Sequence, residues 1–121
     1  MILIDTSVWI DHFRRPISAV IELVERNEAA THPFVIGELA MSSLPNRRDT
    51  LRDLNRLPGV VAATHAEVMA LIEWQQLFSL GMGLADVHLL ASARVAPHVR
   101  LWTRDKRLRA QADRLMVAHH E

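Results

Sequence analysis

Apolar residues along this chain form short continuous runs and runs with a helical period, which predicts strands that alternate with helices. Met1–Ile4 is a continuous apolar run typical of a buried parallel strand, and Val60–Ala63 and His98–Trp102 are two further strand candidates. Between the first two, apolar residues of Ile17–Val24 recur at i, i+3, i+4 and i+7, which is one face of a helix. Leu84–Val95 is apolar nearly all round, which predicts a central helix buried on several sides.

Turn and cap signals set the bounds of the remaining elements. Thr64 is followed three residues later by Glu67, a capping box that predicts a helix running to about Leu80. Leu115–Val117 is a candidate edge strand. Further helices are predicted over Val8–Phe13, Phe34–Ser42, the stretch after Pro45-Asn46, and Lys106–Asp113. The alternation predicts a single α/β domain over residues 1–121, with a parallel sheet and crossover helices.

Composition narrows the class of protein. The chain has 121 residues and no cysteine, which excludes a disulfide scaffold, a thiolate zinc site and a cysteine nucleophile. Its formal net charge is zero, so any role in nucleic-acid binding must depend on a local basic patch. No apolar run approaches the roughly 20 residues that cross a bilayer. We see no signal peptide either, and we expect a soluble cytoplasmic protein without a membrane partner.

Two acidic residues stand where a parallel sheet would bind a ligand, and two more stand in predicted helices. Asp5 and Asp105 each follow a predicted strand, and parallel sheets bind ligands beyond the carboxyl ends of their strands. Asp86 opens the buried central helix, and Glu38 lies among apolar neighbours inside a helix. Each of the three aspartates has an alternative role as a helix N-cap, and Glu38 alone is most simply a solvated side chain. Spacing along the chain does not show that the four converge.

Convergence would have a clear chemical consequence. Carboxylates that lie within a few ångström of one another repel, and their pKa values rise unless a cation neutralises them. Oxygen ligands of this kind suit Mg²⁺ or Mn²⁺ rather than zinc. Such ions activate water for attack on phosphodiesters.

Four segments, ILIDTSVWID, VIGELA, GLADVHLLASA and LWTRDKRL, together resemble the motifs of the PIN-domain ribonucleases, and most closely the VapC-type toxins of bacterial toxin–antitoxin pairs. The resemblance implies a three-layer α/β sandwich with a small central parallel sheet flanked by helices. It also implies a Mg²⁺- or Mn²⁺-dependent endoribonuclease. Carried over by motif, the catalytic and metal-binding residues are Asp5, Glu38, Asp86 and Asp105. The hydroxyls of Thr6 and Thr103 are expected to orient carboxylates or water.

The same resemblance implies macromolecular partners. These are an RNA substrate, a cognate antitoxin and a second copy of the chain in a homodimer. Candidate RNA contacts are the basic residues around the last motif, Arg104, Lys106, Arg107 and Arg109, because cationic side chains bind phosphates. Arg107 departs from the family, which commonly has an acid there. An antitoxin helix is expected in a groove formed by Val8, Trp9, Phe13 and the apolar face of Ile17–Val24.

Other interpretations remain open. A PIN-domain nuclease that processes RNA outside a toxin–antitoxin pair has the same motifs, and a degenerate PIN domain would bind partners without catalysis. A phosphatase with an aspartyl nucleophile also begins with an acid after an apolar strand. That chemistry requires a second acid two residues later, where this chain has Ser7, which argues against it.

Overall fold

Three short parallel strands form the sheet in the computed structural model, which describes residues 1–121. They are β1 (Ile2–Ile4), β2 (Ala29–Ala30) and β3 (Arg100–Trp102), in the spatial order β2-β1-β3. The seven helices are α1 (Thr6–Arg14), α2 (Ser18–Glu25), α3 (Pro33–Ala40), α4 (Arg47–Arg56), α5 (His65–Gln75), α6 (Leu84–Val95) and α7 (Lys106–Arg114). The central strand is therefore the first one in the chain.

The sheet is covered on both of its faces. Leu3 and Ile4 are neighbours on β1, so their side chains point to opposite faces, and both are fully buried. Leu101 and Trp102 on β3 show the same burial. A parallel sheet that is buried on both sides needs helices on both sides. The predicted α/β fold with a central parallel sheet flanked by helices is confirmed.

The bounds of α5 agree with the sequence at its start and differ at its end. Thr64 and Glu67 form the predicted capping box, with reciprocal hydrogen bonds of 3.1 and 3.0 Å. The helix was expected to reach about Leu80, and that prediction was wrong. It ends at Gln75 because Gln76 adopts the left-handed conformation, with φ of 54°, which terminates a helix without requiring glycine.

Two predicted strands do not form. Val60–Ala63 is not a strand: a single bridge joins Thr31 to Gly59 just before it, and Val61 is 79% exposed. The strand beside β1 is instead Ala29–Ala30, which lacks the β-branched residues that mark a strand in sequence. Leu115–Val117 is not an edge strand either, because the left-handed Met116, with φ of 62°, turns the chain immediately after α7.

None of the helices has both the length and the apolar composition that crossing a bilayer requires.

Candidate active site

Asp5 lies at the carboxyl end of the central strand and does not cap the helix that follows. It occupies the N-cap position of α1, yet its side chain makes no capping hydrogen bond. Its Oδ2 instead accepts from the hydroxyls of Ser7 and Thr103, both at 2.7 Å. The side chain is 5% exposed, and its backbone N–H donates to the carbonyl of Trp102 at 2.9 Å. The capping interpretation therefore does not account for this acid.

Asp105 lies at the carboxyl end of β3 and does cap its helix. Its Oδ1 accepts from the backbone N–H of Leu108 at 3.0 Å, at the N-terminus of α7. Its own N–H donates to Oγ1 of Thr103 at 3.1 Å. Thr103 thus donates to Asp5 and accepts from Asp105, so a single hydroxyl connects the two strand-end acids.

The other two acids project from helices. Glu38 is exposed on α3, and its Oε1 accepts from the hydroxyl of Thr6 at 2.8 Å. Asp86 is half-buried in the first turn of α6, and its Oδ2 accepts a long hydrogen bond of 3.4 Å from the N–H of Gly83. Thr6 and Thr103 thus each donate a hydrogen bond to a carboxylate, Thr6 to Glu38 and Thr103 to Asp5.

The four carboxylates share a pattern of hydrogen bonding. In each, one oxygen accepts from a protein donor and the other has no protein donor at all. The oxygens without a donor are Oδ1 of Asp5, Oε2 of Glu38, Oδ1 of Asp86 and Oδ2 of Asp105. Held carboxylates with one free oxygen are chemically suited to bind a hard divalent cation.

Electrostatic repulsion links the four acids. Burial raises the pKa of Asp86, and the negative charge of Asp5 raises it further. The hydrogen bond from Gly83 opposes this change, while the charges of Asp105 and Glu38 add to it. The charges of the three other acids thus all act on Asp86, and their convergence on one cation stays a prediction.

The acids are not already arranged as a closed metal site. No group of three or more His, Asp or Glu side chains has the geometry to hold one ion. Repulsion between unneutralised carboxylates is a physical reason for such an open arrangement. The donor set fits Mg²⁺ or Mn²⁺ in its chemistry, with four carboxylates and no sulfur or imidazole ligand among them.

Comparison with known proteins identifies the family. Residues 2–114 match the PIN domain. The chain is also 44% identical, over 110 residues, to Ribonuclease VapC32 from two strains of Mycobacterium tuberculosis, and the match spans 91% of this chain and 89% of the relative. This chain belongs to the PIN-domain family, in its VapC group. The resemblance inferred from the four motifs is confirmed.

Ser7 is a part of this PIN-domain site that sequence reasoning did not assign. Its hydroxyl donates to Asp5 Oδ2, accepts from the backbone N–H of Arg104 at 3.0 Å, and lies 3.3 Å from Oγ1 of Thr103. Position alone offered a weak signal, because a serine two residues after a strand-end acid also suits a helix start.

His32 positions the helix that carries Glu38 in this PIN domain. Its Nδ1 accepts from the N–H of Phe34 at 3.0 Å and so caps α3. Burial and the nearby charge of His88 lower the pKa of His32 to about 4, which keeps the ring neutral and able to accept. A histidine N-cap has no common sequence signature, so this role was not predicted.

The basic residues of the last PIN-domain motif fall into two groups. Arg104 is held by Asp11 at 3.1 Å and by Glu121 at 2.8 Å, and Arg107 donates to the carbonyl of Gly81 at 3.2 Å. Lys106 and Arg109 are exposed and make no ion pair. Lys106 and Arg109 are therefore available to bind phosphate, whereas Arg107 stabilises the turn that precedes α6.

Proposed function

We propose that this protein is a Mg²⁺- or Mn²⁺-dependent endoribonuclease toxin of a type II toxin–antitoxin pair. The observation that carries the proposal is the set of four acids at the family motif positions, each with one held and one free oxygen. The name of the relative, Ribonuclease VapC32, supports RNA as the substrate. In this proposal the ion is held by Asp5, Asp86 and Asp105, with Glu38 as a direct or water-mediated fourth ligand.

The chain's own residues would orient the reaction. A divalent cation, when bound, would activate water and offset the charge that builds on the phosphate. Ser7 and Thr103 fix the orientation of the Asp5 carboxylate, and Thr6 fixes that of Glu38. Burial and the charges of the other acids raise the pKa of Asp86 in the absence of a cation, so a bound cation would relieve this repulsion. The proton of the attacking water would pass to a carboxylate of the site.

The decisive experiment combines RNA cleavage with Mn²⁺ binding. We expect wild-type protein to cleave single-stranded RNA only with Mg²⁺ or Mn²⁺, and Asp86→Asn to lose both cleavage and calorimetric Mn²⁺ binding while its circular dichroism is unchanged. Glu73→Gln is the matched control, because it removes one exposed carboxylate that makes no ion pair. Full cleavage by folded Asp86→Asn would contradict the proposal.

A second candidate is a PIN module that binds partners without catalysis. The open arrangement of the acids favours it, since no three of them have the geometry to hold one ion. The same calorimetry separates the two candidates. A catalytic site binds Mn²⁺ in the absence of RNA, while a degenerate module does not.

The proposed antitoxin site is a groove between α1, α2 and α4. Its cavity has a volume of about 370 Å³ and includes Trp9, Phe13, Ile21 and Leu54 in its lining. Val8 was expected there but is fully buried in the core, so it does not line the groove. The indole N–H of Trp9 is buried without a hydrogen-bond acceptor. An antitoxin helix with apolar side chains would complement this surface.

The homodimer and the cytoplasmic location stay predictions. Trp9 and Trp102 are buried in the core, whereas Trp74 on α5 is 82% exposed. Trp74 borders a cavity of about 310 Å³ between α5 and α6. An exposed tryptophan at an apolar cavity makes this face the candidate dimer contact.

A further inference from the structure

The chain after α7 runs alongside β3 toward the candidate active site. The N–H of Leu101 donates to the carbonyl of Val117 at 2.7 Å, and the N–H of His119 donates to the carbonyl of Leu101 at 2.8 Å. These bonds form a parallel bridge between Leu101 and Ala118. Because the segment is parallel to β3, it brings Glu121 to the carboxyl end of the sheet, where Asp105 also lies.

At that end the carboxylate of Glu121 is held by three donors. Its Oε1 accepts from Nε of Arg104 at 2.8 Å and from the indole N–H of Trp102 at 2.8 Å. Its Oε2 accepts from Nη2 of Arg104 at 3.1 Å. Arg104 thus uses its two-pronged edge, the geometry by which guanidinium groups bind carboxylates and phosphates alike.

The donors are fixed independently of Glu121. Asp11 accepts from Nη1 of Arg104 at 3.1 Å, which orients the guanidinium without using Nε or Nη2. The Arg104 backbone N–H is bound to Ser7, which in turn holds Asp5. Trp102 is 1% exposed, so its ring cannot move away easily. Removal of Glu121 would leave an oriented anion site, which we call the Arg104 cradle (Arg104 and the indole N–H of Trp102).

We infer that the Arg104 cradle is a binding site for an RNA backbone phosphate, and that Glu121 occupies it as an internal competitor until RNA displaces it. The inference rests on the proposed function, since RNA is the phosphate source. A phosphodiester presents two non-bridging oxygens, which share one negative charge and can accept from Nε and Nη2 as the carboxylate does. The cradle adjoins Asp105 in sequence, so a phosphate there would place the strand beside the acids. Arg109 adds a second positive charge, since it also lowers the pKa of Glu121.

The test compares RNA binding by Glu121→Ala with that by wild type. The probe is a labelled oligouridine in EDTA, titrated at several KCl concentrations, so that cleavage does not enter the measurement. We expect Glu121→Ala to bind about three- to tenfold more tightly at low salt, as expected for loss of a competing, partly exposed ion pair. The salt slope should steepen by about 0.7, one additional phosphate contact on a single strand.

Three controls assign the effect to the cradle. Glu73→Ala removes the same charge elsewhere and should leave the affinity within about twofold, the size of a screened long-range effect. In an Arg104→Gln background, Glu121→Ala should no longer tighten binding. In Glu121→Ala, inorganic phosphate should shift the NMR signal of the Trp102 indole N–H, and oligouridine should shift it at lower concentration.

Several outcomes would overturn the inference. Unchanged or weaker RNA binding by Glu121→Ala would make the tail a scaffold rather than a competitor. An equal gain in Glu73→Ala would reduce the effect to net charge. A response of Trp102 to inorganic phosphate but not to oligouridine would exclude the RNA backbone as ligand. A protein that binds RNA as expected in EDTA but never cleaves it would contradict the proposed function and leave this inference standing.

Discussion

The junctions β1–α1 and β3–α7 have the same local design, yet their acids are used differently. In each, a short buried strand ends at or near an aspartate that occupies the N-cap position of the next helix. Asp105 caps its helix, while Asp5 turns away to accept from Ser7 and from Thr103, which lies 98 residues later. Whether a strand-end acid caps its helix therefore depends on the hydrogen-bond donors that the tertiary fold places beside it, and not on the local sequence pattern.

The largest effects are expected when either of the two aspartates is replaced. These substitutions test whether both acids serve one reaction. Asp5→Asn and Asp105→Asn should each lower Mn²⁺-dependent RNA cleavage by more than about 100-fold, beyond the roughly 10–100-fold typical of a lost supporting residue. Cleavage rates of folded variants, checked by circular dichroism, provide the measurement. If only Asp105→Asn lost activity, Asp5 would have a structural role alone, and the two junctions would differ in function as well as in hydrogen bonding.

Thr103 joins the junctions, and its removal should have the next largest effect. Thr103→Val keeps the shape but removes the donor to Asp5 and the acceptor for Asp105, so we expect a roughly 10–100-fold loss in cleavage or Mn²⁺ affinity. Thr103→Ser should retain most of both. Thr6→Val should cost less, because Glu38 is exposed and water can replace the lost donor. Equal losses of cleavage and Mn²⁺ affinity in Thr6→Val and Thr103→Val would contradict the expectation that Thr103 matters more than Thr6.

A stability measurement sharpens the difference in capping. Asp105→Ala should lower the free energy of unfolding by about 1 kcal/mol, since it removes an N-cap, whereas Asp105→Asn should preserve the cap. Urea unfolding of both variants, without divalent cations, measures the difference. If the two variants unfold at the same urea concentration, Asp105 contributes nothing as a cap.

The smallest expected effect is on the pKa of Asp86, which the negative charges of both Asp5 and Asp105 raise. Asp5 raises the pKa of Asp86 more than Asp105 does, so Asp5→Asn should lower that pKa further than Asp105→Asn. Because this pKa is higher in the folded chain than in the unfolded chain, folding favours the protonated form of Asp86. Its contribution to stability is therefore present at low pH and is lost as pH rises through the raised pKa. Titration of the Asp86 carboxyl carbon by NMR, without divalent cations, gives the order, and the reverse order would contradict it.

Sequence predicted the fold class and the helices well, because α6 and the first strand have strong apolar patterns and α5 has a capping box. It missed Ala29–Ala30, since two alanines form a strand here only through their place beside β1. It named the four acids by motif, but hydrogen bonds of Asp5 and Thr103 depend on two segments that the sheet brings together. The same is true of Glu121, whose position follows from a bridge to β3 that has no sequence signal.

The position of β1 in the centre of the sheet has a consequence for the order of synthesis and folding. Its neighbour β3 begins at Arg100, so a growing chain must complete nearly all of its helices before the central strand has both partners. Pairing across such a sequence distance is slow, because a large loop must close first. The Asp5 carboxylate likewise lacks one of its hydrogen-bond donors until Thr103 has been synthesised. A nascent chain would therefore have no assembled candidate site until β3 has been synthesised and has paired with β1.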